Sequence, residues 1–456
     1  MDRRPTGSLV LLRRSSDVLL AAVPIALATF IAFLALAWAS LGVDRTVLVD
    51  QVRAAYASRD LRPDAAALFG NVDIGEHQYN DCLILFQAID DRASRVERTI
   101  SPLRPVPTRQ GICADLRQLV TAGPGQPRDF YHRYFHAHTT FARLLVPELG
   151  VAGLRDLYKF LICLVLCAGI GFAMMDIARR RRDMLGVVWL IIFLAFARFY
   201  GFEAFGQSLG HAPADLTILG FLLIISRVSV DRPISRRFAL ISAAAFGALT
   251  IETEFLTGGL PLGLAVLLGT VPFAVAADRD ALRTTMEAAI SFAVAIATCV
   301  IARMLLLLVM FGTAPLAGAG AQLLVRTGMA APPDQETAKG AGSFLIRVLA
   351  GMDSLAAGMP WLVIGLLGLT LTSGIWGYRV LRSGADDAVR RRALALVASN
   401  VVLLLWIVVF WEHTTVHAWF MDRIFVWTLA SGAILFALAV RSQDAAVAIM
   451  AQDPTS

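Results

Sequence analysis

Apolar stretches long enough to cross a lipid bilayer recur along the whole chain. A membrane-spanning helix needs roughly 20 consecutive apolar residues, and about ten stretches approach or meet that length. They run over 18–42, 157–177, 184–200, 213–228, 238–256, 259–276, 287–311, 354–378, 394–411 and 422–440. Because 57% of the 456 residues are hydrophobic, a soluble domain is excluded. The sequence predicts an all-α, polytopic membrane protein with about ten transmembrane helices.

Arginine clusters in the short connections predict the orientation of these helices. Basic residues favour the cytoplasmic side of a membrane. The clusters are 3–4 with 13–14, 179–182, 232 with 236–237, 279 with 283, and 379 and 382 with 390–392. All of them fall on one side if both termini are cytoplasmic, as in a multi-pass protein of a bacterial inner membrane. The net charge of +6 reflects this bias and requires no nucleic-acid partner.

Three units follow from this topology. Residues 1–42 form a cytoplasmic N-terminus and the first transmembrane helix. Residues 43–155 form a large, partly helical extracytoplasmic loop with juxtamembrane helices. Residues 156–456 form the transmembrane bundle, in which the outer loop 312–353, rich in Gly, Ala and Pro, is predicted to be flexible.

Acidic residues stand out in the large loop. Residues 47–58 predict one short helix, and Asn80 or Asp81 would cap a second helix that ends near Ile89 and lies on the membrane surface or under the loop. Asp73 and Glu76 share a face with His77 if that segment is helical. The alternative for this group is a solvated acidic turn.

The cysteines divide between loop and spans. Cys82 and Cys113 both lie in the predicted outer loop, where the compartment permits a disulfide. Alternatively, Cys82 is an ordinary apolar residue of its helix. Cys163, Cys167 and Cys299 lie in spans and are interpreted as packing residues.

All seven histidines fall on the predicted outer side, namely His77, His132, His136, His138, His211, His413 and His417. The segment Tyr131–Arg143 combines three of them with aromatic and basic residues just before the second span. Arg133, Arg143 and a histidine, His132 or His136, could hold an anionic lipid phosphate. An interfacial belt that only anchors the helix is the alternative.

Two carboxylates lie near the outer end of the fifth span. Glu252 and Glu254 are costly in a hydrophobic helix unless they face a polar cavity. Because residues two apart point in different directions, we expect one to be functional and the other structural. Arg303 in the seventh span is a candidate partner, and a purely structural ion pair is the alternative.

The end of the ninth span carries His413 and His417, which have the helical spacing of a metal pair, beside Glu412. The pattern of a zinc protease, with Glu directly after the first His, is absent. We expect the segment to bind a phosphate or a sugar hydroxyl, with Arg423 as the charged clamp. A divalent metal is the alternative occupant, and no other cofactor is predicted.

Three segments together resemble known proteins. Tyr131–Arg143, Phe255–Pro261 and His413–Arg423 resemble a group of bacterial polytopic membrane proteins, from which this chain departs at Phe135, Ala137 and Glu412. With its long, acid-bearing first outer loop, the architecture also looks like that of the GT-C glycosyltransferase superfamily.

The GT-C resemblance implies a function. The donor would be a sugar on a polyprenyl phosphate, and the acceptor a cell-envelope glycan or lipid at the outer face of the inner membrane. An acid of the first loop, Asp73, Glu76 or Asp81, would be the catalytic base. Substrate-binding candidates are His132, Arg133, His136, Arg143, Glu252, Glu254, Arg303, His413, His417 and Arg423.

Two other classes of protein remain open. A transporter or flippase of a lipid-linked or anionic substrate would also bury carboxylates and arginine, but it should carry polar residues through the full depth of the membrane. A metal-dependent enzyme of the outer face is supported only by the histidine pairs.

Overall fold

The structure is a computed structural model. It describes residues 7–62, 78–106, 111–123, 125, 127–179, 183–197, 208–254, 258–278, 280–330, 374–380, 382, 386–410 and 422–452. Its helices are α1 (Gly7–Ser40), α2 (Arg45–Ala57), α3 (Gln78–Ile89), α4 (Arg95–Ile100), α5 (Ile112–Ala122), α6 (Ala137–Ala178), α7 (Asp183–Phe196), α8 (Ala212–Asp231), α9 (Arg236–Thr253), α10 (Gly259–Ala274), α11 (Ala281–Phe311), α12 (Ala314–Arg326), α13 (Asp387–Val409) and α14 (Val426–Gln452).

The protein is membrane-embedded. Five helices of the described chain are long and apolar enough to cross a bilayer: Arg14–Ser40 of α1, α6, α8, α11 and α13. Shorter apolar helices cover Met184–Phe196, Gly259–Ala274 and Val426–Arg441. Large apolar side chains such as Leu20, Ile31 and Val309 are exposed, as expected of a surface that faces lipid.

The predicted class of all-α membrane protein is confirmed, whereas the expected count of about ten spans is not, since the described residues contain five such helices. Most of the predicted eighth span, 354–378, lies outside the described residues. The fifth predicted span corresponds to α9, which falls outside the set of long apolar helices because Arg236, Arg237 and Glu252 interrupt its apolar sequence. It packs against both α1 and α11. Small residues at that contact, Ala243, Ala244 and Gly247, let the helix backbones approach closely.

One end of these helices carries a network of charges, which we call the basic end. Arg236 of α9 contacts Asp17 of α1 at 2.7 Å and Glu287 of α11 at 2.5 Å. Arg14 of α1 approaches Glu287 and Asp280 at 3.5 and 3.4 Å. The network ties together the starts of three helices, so α1, α9 and α11 run in the same direction.

The opposite end of the bundle is covered by the cover layer, which comprises α2 to α5 and strands β1 (Leu103–Pro105) and β2 (Arg128–Phe130). The strands pair antiparallel, with Leu103 opposite Phe130, which adds a small sheet to a fold expected to be all-α. A disulfide joins Cys82 of α3 to Cys113 of α5, which was one of the two alternatives that the sequence left open for Cys82. We call this end of the bundle the covered end.

Helix α3 forms the core of the cover layer. Eleven of its twelve residues are buried, so it lies under the loop rather than along a membrane surface. The predicted N-cap at Asn80 or Asp81 is wrong, because the helix already begins at Gln78. The predicted helix at 47–58 is confirmed as α2, with Asp44 as its N-cap through a bond from the Thr46 amide.

Helix α6 joins the cover layer to the bundle. It bends at Gly150, whose φ of 70° is costly for any residue with a Cβ. The second predicted span is therefore the continuation of a helix that begins at Ala137, well before the expected loop boundary at 155. The loop expected to be flexible at 312–353 contains α12 over Ala314–Arg326, and 331–353 lies outside the described residues.

Candidate functional site

Arg303 is the centre of a buried polar cluster at the covered end. Its side chain lies on α11 and is 4% exposed. The guanidinium donates to the carbonyls of Ile100 and His132, and Nη2 lies 3.2 Å from Nε2 of His136. Nε has no hydrogen-bond partner among the residues that the structure describes. The cation is thus held by neutral groups of the cover layer.

His136 and His132 line the cluster from the cover-layer side. Nε2 of His136 lies 3.0 Å from the Tyr131 carbonyl as well as near Arg303. One nitrogen cannot donate to the carbonyl and accept from Arg303 together, and the charged donor makes the stronger bond. That choice puts the proton on Nδ1, which has no partner in the described part of the chain.

Burial holds both imidazoles in the neutral form. It places the pKa of His136 well below its usual range, and the charge of Arg303 lowers it further. The same two causes, in the same order, lower the pKa of His132. The His132 ring also stacks on Phe130 and tilts against Phe311 at a centroid distance of 4.7 Å.

Glu252 and Glu254 have different surroundings, although both are 3% exposed. Glu254 follows the last residue of α9, and its carboxylate lies against Gly259, the first residue of α10. A carboxylate is favourable at a helix N-terminus, so Glu254 has a structural reason to be there. Glu252 interacts electrostatically with Arg303, and among the described residues its Oε1 has no hydrogen-bond partner.

Glu252 and Arg303 do not form a direct ion pair. Within the described chain, no carboxylate oxygen lies within 4.0 Å of the Arg303 guanidinium. A buried charge is normally paired or fully hydrogen-bonded. The cluster therefore contains an arginine and a glutamate that are close but both incompletely satisfied, next to two neutral histidines.

Asp81, one of the predicted catalytic bases, anchors the cover layer to α6, and its role as a base stays a prediction. Its carboxylate is 1% exposed and accepts from Nε and Nη2 of Arg155, at 2.9 and 2.7 Å. The other oxygen accepts from the Ser208 hydroxyl and the Leu209 amide. Four donors occupy the lone pairs that a substrate proton would need.

Arg143 has a structural role in the described chain, and its expected contact with a donor phosphate stays a prediction. It is 3% exposed and donates to the carbonyls of Gln87 and Ala88 at the end of α3. Such carbonyls have no partner within their own helix, and a cation satisfies them. Arg133, by contrast, is exposed beside the cluster.

Several expected site residues lie outside the described residues: Asp73, Glu76, His413 and His417. Arg423 belongs to the short 3-10 turn Asp422–Phe425. In the part of the chain that is described, no group of three or more metal-ligating side chains comes together.

His138 is a member of the cluster that the sequence reasoning did not select. It is 1% exposed, and its ring centroid lies 6.2 Å from that of His136. His136 precedes the first residue of α6, whereas His138 lies within the first turn of that helix.

The chain was compared with protein-family models, with curated proteins and with solved structures, and none of them matches.

Proposed function

We propose that the protein is a membrane glycosyltransferase that moves a sugar from a polyprenyl-phosphate donor to an envelope glycan or lipid. The GT-C-like architecture, the inner-membrane location and the cytoplasmic termini belong to the same proposal. The donor phosphate would bind at the covered end of the bundle, between Arg303 and the neutral histidines.

The supporting observation is the buried Arg303 without an anion. A guanidinium held by two carbonyls and one imidazole keeps its charge, and Nε remains a free donor in the described chain. An incoming phosphate would supply the missing negative charge, and arginine matches phosphate oxygens with a planar set of donors. The charge on the leaving phosphate would be stabilised in the same way.

The reaction needs a carboxylate as well. A general base removes the proton of the acceptor hydroxyl while the oxygen bonds to the anomeric carbon, and the bond from that carbon to the phosphate breaks to release polyprenyl phosphate. Asp81 is engaged elsewhere, so Asp73 and Glu76 are the first-loop candidates. Glu252 is a further candidate, because one of its oxygens is unpartnered beside Arg303.

Binding of undecaprenyl phosphate to the purified full-length protein tests the donor site. We expect Arg303→Gln to weaken binding at least about tenfold, because a charge-assisted contact is lost. Arg303→Lys should bind in between, since it keeps the charge without the planar donors. The matched control is Arg236→Gln, at the basic end of α9, which should bind like the parent protein.

Two outcomes would reject the donor site: unchanged binding by a folded Arg303→Gln variant, or equal losses in Arg303→Gln and Arg236→Gln. If Arg303→Gln does not fold, the Arg303→Lys comparison decides. Transfer itself is measured as release of polyprenyl phosphate from a polyprenyl-phosphate hexose. Asp73→Asn and Glu76→Gln are compared with Glu252→Gln, and full activity in all three would exclude this set of bases.

A further inference from the structure

A second basic site lies in the cover layer. Four arginines line a cleft of about 650 Å³ between the end of α2 and α5. We call it the arginine cleft and define it by Arg53, Tyr56, Arg59, Arg62, Arg117 and Val120. Among the described residues that line it there is no acidic side chain, and none of them belongs to the Arg303 cluster.

Arg59 takes a backbone conformation that is unusual for its residue type. Its φ is 67°, the only positive φ at a non-glycine position in the described chain. It follows the C-cap of α2, a position that is usually glycine because a Cβ is disfavoured there. Arginine is less favourable than glycine in this backbone conformation. Its presence indicates that the guanidinium itself is useful at this position.

The walls of the cleft are held firmly. Arg53 donates to the Val120 carbonyl at 2.6 Å, which fixes α2 against α5. The Tyr56 hydroxyl donates to the Cys113 carbonyl at 2.6 Å, close to the disulfide. The carbonyl of Asp60, next to Arg59, accepts from Arg155 of α6 at 2.9 Å. The segment that carries Arg59 is therefore fixed to both the cover layer and the bundle.

Two of the arginines have no anionic partner. Arg59 and Arg117 are exposed, and over the described ranges no carboxylate oxygen lies within 4.0 Å of either. Arg53 differs, because it contacts Asp50 at 2.9 Å. Like charges around one cleft repel each other, so their assembly on a rigid frame is explained most simply by an anion that binds between them.

We propose that the arginine cleft binds a phosphate group, with Arg59 and Arg117 as the principal donors. Several guanidinium groups around one volume suit the many oxygens of a phosphate better than a single carboxylate. The volume also admits the group to which the phosphate is attached. Arg155 of α6 contacts the Asp60 carbonyl and so connects the cleft to the bundle. A lipid headgroup and a soluble phosphate compound both carry the phosphate group that this cleft would bind.

Inorganic pyrophosphate is the probe for the soluble source. Binding to the full-length protein in detergent is expected to be saturable and to weaken with added salt. The double variant Arg59→Gln/Arg117→Gln should lose at least about tenfold in affinity, because two charge-assisted contacts are removed. Arg237→Gln, an exposed arginine next to the basic end, is the matched control and should bind like the parent protein.

Arg59→Gly separates lost binding from lost folding. Glycine relieves the backbone at this position, so the variant should unfold at the same or a higher temperature while it binds pyrophosphate more weakly. For the lipid source, native mass spectrometry counts the phosphatidylglycerol molecules that stay on the protein. Fewer on the double variant than on Arg237→Gln would identify a lipid headgroup.

The two arms together decide the proposal. Loss in the pyrophosphate arm alone identifies a soluble phosphate, and loss in the lipid arm alone identifies a headgroup. If the double variant and Arg59→Gly retain parent affinity for pyrophosphate and also retain phosphatidylglycerol, the arginine cleft does not bind phosphate and the proposal is wrong.

Discussion

Each end of the α9–α11 helix pair carries one arginine and one glutamate. The two charges contact each other directly at one end but not at the other. Arg236 and Glu287 form a direct ion pair at the basic end. Sixteen residues further along each helix, Glu252 and Arg303 occupy the equivalent positions, with the charges exchanged between the helices. At 1.5 Å per residue, the two pairs lie about 24 Å apart, close to the thickness of a membrane core.

The difference between the pairs lies in their partners. At the basic end the charges are partly exposed and each contacts a charge of opposite sign. At the covered end Arg303 is turned towards the cover layer, and Glu252 has an unpartnered oxygen. A closed network stabilises a bundle, whereas buried charges that are incompletely satisfied cost stability. In the proposed function, the donor phosphate would complete the contacts of Arg303.

The largest effect is expected where a buried pair fastens the cover layer to the bundle. Asp81→Asn removes the carboxylate that holds Arg155 and should cost about 4 kcal/mol of unfolding free energy, because a nearly buried cation loses its partner. Chemical denaturation of the variant measures this. A stable, folded but inactive Asp81→Asn protein would contradict the anchor role and restore Asp81 as a catalytic base.

The disulfide is the next strongest constraint on the covered end. Replacing both Cys82 and Cys113 by Ser opens a loop with a sequence separation of 31 residues and should cost about 3 kcal/mol. The loss should appear as faster proteolysis within the cover layer, with little change around Arg236. As a control, Cys167→Ser should leave both regions as in the parent, because Cys167 is exposed and takes part in no disulfide within the described chain. Uniform loosening of both ends would show that they are not independent.

The sequence predicted the helices better than the contacts between them. Hydropathy indicated most helices of the bundle, since a stretch of apolar residues carries its own signal. It could not predict that Asp81 pairs with Arg155, because that contact joins residues seventy-four positions apart through the fold of the cover layer. The contacts of Arg143 could not be predicted for the same reason, since its partners are backbone carbonyls of α3, which residue identity does not reveal.

The covered end was foreseen in outline. Glu252, Arg303 and His136 were singled out because polar residues in apolar surroundings are conspicuous, and the structure brings all three together. Which glutamate would be structural could not be read from the sequence, because it depends on where α10 begins relative to Glu254.

A smaller effect is expected from breaking the network at the basic end. Arg236→Gln removes contacts to Asp17 and Glu287, yet these groups are partly exposed, so the cost should be about 1 kcal/mol. Thermal unfolding in detergent measures it, with Arg227→Gln, an exposed pair within one helix, as the control near zero. A cost as large as that of Asp81→Asn would mean that the basic end is as tightly coupled to folding as the covered end.

The smallest effect distinguishes the ends by pH. His136 has a pKa below its usual range in the folded protein, so the folded state binds fewer protons than the unfolded chain. The contribution of neutral His136 to the free energy of unfolding is fully present above pH 6.5, the ordinary pKa of histidine. It is lost as the pH falls below that value towards the pKa in the folded protein. Between pH 7.5 and 5.5 the expected loss is about 1 kcal/mol.

Thermal unfolding at both pH values measures it, and His136→Gln should reduce the difference. Since no histidine contributes to the network at the basic end, Arg236→Gln should leave the pH dependence unchanged; if it removes that dependence, the titrating group is not at the covered end.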